Sequence, residues 1–183
     1  MEPGHLQAWT PGVVTLSIGV LVMRLVFGVY LVGHGGQKLF GWLGGEGPTA
    51  SAGYFEGLGF HPGRAIALLA GTSEFVGGLL VALGLLGPIG PALVVSLMIV
   101  ALVSDGLPNG LFWESNGIET PLLYMAAAFA LALIGPGIYS LDALLGLESL
   151  WTPTVAWVAL AIGVAGGVLA LAVRRATPGA RPA

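Results

Sequence analysis

Apolar residues arrive in this chain in long unbroken runs rather than in alternation, at about 13–38, 64–86, 89–104, 118–135 and 153–173. A hydrocarbon layer roughly 30 Å thick is crossed by about 20 apolar residues of α-helix, so each run predicts one membrane span. The third run is short and is entered through Pro88 and Pro91, residues suited to a first helical turn. Strands of a membrane barrel would alternate lipid-facing and lumen-facing positions, which these runs do not, and lipid requires backbone groups to be satisfied internally. The pattern predicts an all-α integral membrane protein. Trp9, Phe40, Trp42, Trp113 and Trp151 fall at the ends of the runs, where amphipathic rings sit at headgroup depth.

The longest connection, from about Gly41 to Gly63, is glycine-rich and too short for a domain of its own. Its segment 41–47 reads as a flexible turn, since no Gly-Lys-Ser/Thr follows to cradle a phosphate. Residues 1–12 contain no Lys or Arg, and the first run carries Arg24 and leads into Gly, His and Lys rather than a small-residue cleavage site. That run is expected to remain as a span.

Composition narrows the classes. Of 183 residues, 56% are hydrophobic and 8% charged, far from the roughly one-quarter charged surface of a water-soluble domain. Six Lys and Arg against nine Asp and Glu leave a net charge of -3 and no basic stripe for a phosphate backbone, so no nucleic-acid partner is expected. The absence of cysteine excludes a disulfide framework, a thiolate metal site and a dithiol relay within the chain. His5, His34 and His61 are widely separated and no repeated Glu-x-x-His spacing occurs, so no metal centre is expected.

Five crossings put Lys38, Arg64, Arg174, Arg175 and Arg181 on one side of the membrane, here side B, opposite the N-terminal side A. The positive-inside rule then makes side B cytoplasmic.

Ionisable residues inside apolar spans ask for a partner or a use. Arg24 in the first span and Glu74 in the second reach similar depth if the spans are antiparallel, which predicts an ion pair between them. Ala70, Gly78 and Ala82 share the helix face of Glu74 and favour close packing there. Such a pair serves either to lock helix register or to wall a ligand cavity or proton path. His34, Gln37 and Lys38 share one face at the end of the first span, amid Gly33, Gly35 and Gly36. This donor-rich end either snorkels to headgroups or holds a carbonyl or an anion. Asp105, Asn109, Glu114, Asn116 and Glu119 are expected at the same side B mouth, with Thr120 and Pro121 reading as cap and first turn of the fourth span, while Asp142 is the main polar residue of side A. In the last span Ala159, Gly163 and Gly167 form a small-residue ridge, expected to pack within the bundle or against a partner.

Taken in order, Arg24-Leu25-Val26-Phe27-Gly28, His34-Gly35-Gly36-Gln37-Lys38-Leu39-Phe40-Gly41, Tyr54-Phe55-Glu56-Gly57-Leu58-Gly59, Glu74 before Gly77-Gly78, Glu119-Thr120-Pro121-Leu122-Leu123 and Gly135-Pro136-Gly137-Ile138-Tyr139-Ser140-Leu141-Asp142 resemble the successive motifs of the DoxX family. The resemblance spans about residues 20–145. It implies a four-helix transmembrane bundle over 13–145, preceded by a tail at 1–12 and followed by a fifth C-terminal transmembrane helix within 146–175 and a tail at 176–183. Family cores usually have both ends of the four-helix unit in the cytoplasm, opposite to the cation count; a fifth helix that docks without crossing would reconcile the two.

Relatives include the DoxD subunit of thiosulfate:quinone oxidoreductase. The resemblance therefore implies a membrane subunit or assembly component of a respiratory or electron-transfer complex in the cytoplasmic membrane, with lipids and other membrane subunits as partners. The alternative it implies is a quinone-interacting redox subunit, in which His34, Gln37 or Lys38 donates to a quinone carbonyl and Glu74 or Glu119 relays protons. If catalytic, it would be a quinone-dependent oxidoreductase subunit. A small-solute or lipid transporter is the third reading.

Overall fold

The computed structural model describes residues 12–174. His5, Trp9, Arg175 and Arg181 lie outside the described residues, as do most of the two expected tails. The elements are α1 (Val13–Phe40), α2 (Gly47–Gly57), α3 (Gly63–Leu83), α4 (Ile89–Ala101), a π turn (Leu102–Gly106) that leads into the one-turn α5 (Leu107–Asn109), α6 (Glu119–Ile134), α7 (Leu141–Leu145) and α8 (Pro153–Ala172). No strand occurs among them. Among the described residues four stretches are long and apolar enough to cross a membrane: α1, α3, Ile89–Asn109 and α8. The remaining predicted span is α6, whose 16 residues rise roughly 24 Å.

Local chemistry sets the ends. Gly41 and Gly84 adopt left-handed φ of 72° and 62° and cap α1 and α3, their amides bonding carbonyls of the last turn. Thr152 accepts from the Val155 amide and precedes Pro153 at the start of α8. The expected cap at Thr120 is not used: α6 begins at Glu119 with Ile118 in the cap position. The connection after α1 is also more ordered than its glycine content suggested. A short 3-10 turn at Trp42–Gly44 leads directly into α2, which packs on α3 through Phe55, Phe60 and Ala67.

Helices α1 and α3 run antiparallel in close contact, α3 packs on α4, and α4 also meets α6 and α8. The main apolar core joins Val20, Leu31, Val81, Val94, Val95, Met98, Leu131 and Leu160. Large apolar side chains such as Val22, Val29, Leu69 and Ile162 face outward, the distribution lipid permits and water penalises.

The last helix lies alongside α4 and runs parallel to it. A Cβ added at Gly163 would strike the Ala92 carbonyl, and one at Gly167 would lie 2.8 Å from the Ser96 carbonyl. The small-residue ridge is therefore filled inside the chain. The buried positions of the ridge are Ala156, Leu160, Gly163 and Gly167, with Ala159 off to one side. With α8 starting beside Gly87 and ending beside Leu58, it spans the same depth as α4, and docking without crossing is not observed. Replacing both Gly163 and Gly167 by Leu is expected to drive α8 off α4 and leave the rest of the bundle folded. In a chain free of cysteine, a Ser96→Cys/Gly166→Cys pair reports this directly, since a Cβ at Gly166 lies 3.2 Å from the Ser96 hydroxyl. Oxidation should cross-link the parent pair and fail in the leucine background; retained cross-linking would contradict the docking.

Candidate functional site

Toward side B, α2, α3, α4 and α8 surround a chamber of about 440 Å³. Its wall is mostly apolar, built from Phe55, Leu97, Val100 and Ala170 among others, with Lys38, Glu74, Tyr54, Ser73, Ser96 and Ser104 as its polar members. Lys38 lies in the last turn of α1 and extends back along the bundle, so that its Nζ sits 2.6 Å from Glu74 Oε2. Both side chains are largely shielded, a setting in which an ion pair is screened little and each partner depends on the other. The ammonium keeps two further protons to donate.

The expected Arg24 and Glu74 pair does not form. Arg24, 3% exposed, donates through Nε to the Val81 carbonyl at 3.2 Å and through Nη2 to those of Ala82 and Tyr139 at 3.1 and 3.0 Å, with Nη1 on the Pro136 carbonyl. It thereby closes the carbonyl end of α3 and ties the 136–139 loop to it. Asp142, fully buried nearby, accepts from the Leu86 and Gly87 amides at 2.9 and 2.6 Å and supplies the opposite charge. The register explains the difference. Gly28 of α1 rests on Gly78 and Ala82, and Gly35 on Gly71 and Phe75, so Arg24 falls at the level of Gly84 and the first turns of α1 overhang α3. Position 82 is two turns, about 12 Å, from Glu74.

The other predicted site residues separate. His34 is exposed, shares a 3.3 Å contact with Gln37 and stands edge-on to Tyr124 of α6, outside the chamber wall. Glu119 accepts from the Trp113 amide at 3.0 Å and braces the 110–118 loop, also away from the chamber. Of the five residues His34, Gln37, Lys38, Glu74 and Glu119, the structure brings Lys38 and Glu74 together at the chamber. It adds Tyr54, whose hydroxyl donates to Asp105 Oδ2 at 2.7 Å. Burial, and then the hydrogen bond and charge of Asp105, push the Tyr54 phenol well above its ordinary range, so it keeps its proton at physiological pH. Tyr54 was visible in the sequence only as part of a motif, because nothing local marks the α2 segment as a floor to the bundle.

These features define a polytopic helical membrane protein whose bundle encloses an apolar chamber with an ion pair in its wall. Residues 19–104, from α1 to the π turn, match the DoxX family model. Over that segment the chain carries a DoxX domain. No curated protein and no solved structure matches it. The matched segment supplies Lys38, Tyr54, Glu74 and Ser104 to the chamber, whereas Gly166, Ala170 and Val173 of α8 come from outside it.

Proposed function

We propose that this protein is a quinone-binding subunit of an electron-transfer complex in the cytoplasmic membrane. The observation that carries this reading is the apolar chamber with the Lys38 and Glu74 pair in its wall. A quinone needs an apolar space for its ring and tail and a donor for a carbonyl oxygen, and its reduction consumes two electrons and two protons. Lys38 is the donor with protons to spare. Glu74 balances its charge, and the Tyr54 to Asp105 hydrogen bond leads from the chamber wall toward the side B surface. A chain without cysteine has no thiol of its own to supply electrons, so the two electrons come from a redox partner of the complex. The tail runs between α3 and α8 toward lipid, beside Leu69, Gly166 and Ala170.

Native mass spectrometry of the protein, extracted gently from its own membrane, tests the reading. A stoichiometric quinone retained by the chain, alone or with a partner polypeptide, is expected; a partner complex in which this chain retains none would make it an assembly component instead. Lys38→Gln should weaken quinone binding roughly ten- to hundredfold, the value of a hydrogen bond from a charged donor at about 1.5–3 kcal/mol. Glu119→Gln, outside the chamber, should leave it unchanged. Undiminished binding in the Lys38 variant would remove the site.

A further inference from the structure

Among the described residues two buried side-chain polar atoms have no hydrogen-bond partner: Ser104 Oγ and Trp151 Nε1. Trp151 packs against Gly87 at the side A end. Ser104 is different, because it belongs to the chamber. It sits in the middle of the π turn Leu102–Gly106, is 2% exposed and lines the cavity that Lys38 and Glu74 also line.

A serine within an α-helix ordinarily returns its hydroxyl to the carbonyl one turn back. Here the backbone is expanded, with the Leu107 amide bonding the Leu102 carbonyl five residues earlier, and the Ser104 hydroxyl is left without a protein acceptor. A buried hydroxyl left unpaired is costly, so its retention in a cavity wall points to a partner supplied from outside the chain. Single π turns inside longer helices recur at functional sites for the same reason, since they re-aim a side chain. The neighbouring Asp105 does not serve it: its carboxylate takes the Tyr54 hydroxyl and the Asn109 amide.

We infer that Ser104 is a second polar anchor of the chamber, and that the ligand is a lipophilic molecule whose compact head carries two hydrogen-bonding oxygens. Lys38 takes one oxygen and Ser104 the other. This rests on the quinone reading and narrows it, because a head with a single oxygen leaves Ser104 unpaired. Ser104 then discriminates between lipid-phase molecules that the apolar wall would accept equally.

The test uses the full chain in nanodiscs and two probes, decylubiquinone with two ring carbonyls and 4-decylphenol with one ring oxygen. Ser104→Ala removes a hydroxyl that has no protein partner, so the fold is retained. The expected result is a roughly three- to tenfold loss of decylubiquinone affinity with unchanged 4-decylphenol affinity. Equal decylubiquinone affinity in the wild type and Ser104→Ala, while Lys38→Gln still weakens it, would overturn the second anchor and leave the quinone reading standing. An equal loss for both probes would make Ser104 a packing residue and overturn the inference as well. Failure of the wild type to bind decylubiquinone would overturn both readings together.

Discussion

Arg24→Ala is expected to lose most of its folded population. The substitution leaves the Val81, Ala82, Pro136 and Tyr139 carbonyls without their donor and Asp142 buried without its counter-charge. Removing one partner from a buried charged cluster costs about 3–5 kcal/mol, a large share of the 5–15 kcal/mol that typically separates folded from unfolded chains. Arg24→Lys retains the charge, but its three donors cannot serve four carbonyls spread over the α3 terminus and the following loop, so an intermediate loss is expected. Thermal unfolding in detergent, followed by size exclusion, reads the effect. Glu74→Gln is the informative companion: it leaves the Arg24 cluster untouched and should be distinctly milder. A wild-type unfolding midpoint for Arg24→Ala would show that the cluster contributes nothing.

The second large effect concerns the contact between α1 and α3. A Cβ at Gly35 would lie 2.5 Å from the Phe75 amide nitrogen and 2.7 Å from the Gly71 carbonyl; one at Gly28 would lie 2.6 Å from the Ala82 nitrogen and 2.7 Å from the Gly78 carbonyl. These neighbours are backbone, which cannot rotate aside, so even alanine forces the helices apart. Each substitution is expected to cost about 1–3 kcal/mol by overpacking, and the two, separated by two helical turns, should nearly add. Gly33 and Gly19 are internal controls on the same helix. A Cβ at Gly33 meets only Leu43 at an ordinary 3.5 Å, and one at Gly19 meets nothing within 4 Å. Alanine there should be neutral or slightly stabilising through helix propensity, worth up to about 1 kcal/mol. If Gly35→Ala unfolds at the same temperature as Gly33→Ala, the close approach does not govern the pairing. Loss of this contact would also displace Lys38 from Glu74, so ligand binding should fall with stability in the Gly35 variant.

How much of this was readable beforehand depends on the range of the interaction. Span limits follow from transfer of apolar side chains into lipid, a property of consecutive residues, and the predicted starts at 64, 118 and 153 stand within a residue of the observed helices. The glycines of α2 argue against helix locally, and the helix is held instead by Phe55 and Phe60 packing on Ala67 of α3. Residue type marks Glu74 as costly in a span and Lys38 as part of a donor-rich helix end, but residue type does not say that the two meet.

That distinction marks the boundary. The order of the spans, the membrane setting, the motifs of the DoxX domain and the residues too expensive to be idle were determined by the chain alone, because each rests on residue type and local spacing. Which charges meet was decided only by tertiary structure. Register between α1 and α3 is set where Gly28 and Gly35 seat on Gly78 and Gly71, and sliding that contact by two turns exchanges one partner for another. The same holds for Ser104, whose unpaired hydroxyl depends on a π turn, and for the chamber itself, one wall of which is α8, lying parallel to α4 and outside the matched segment.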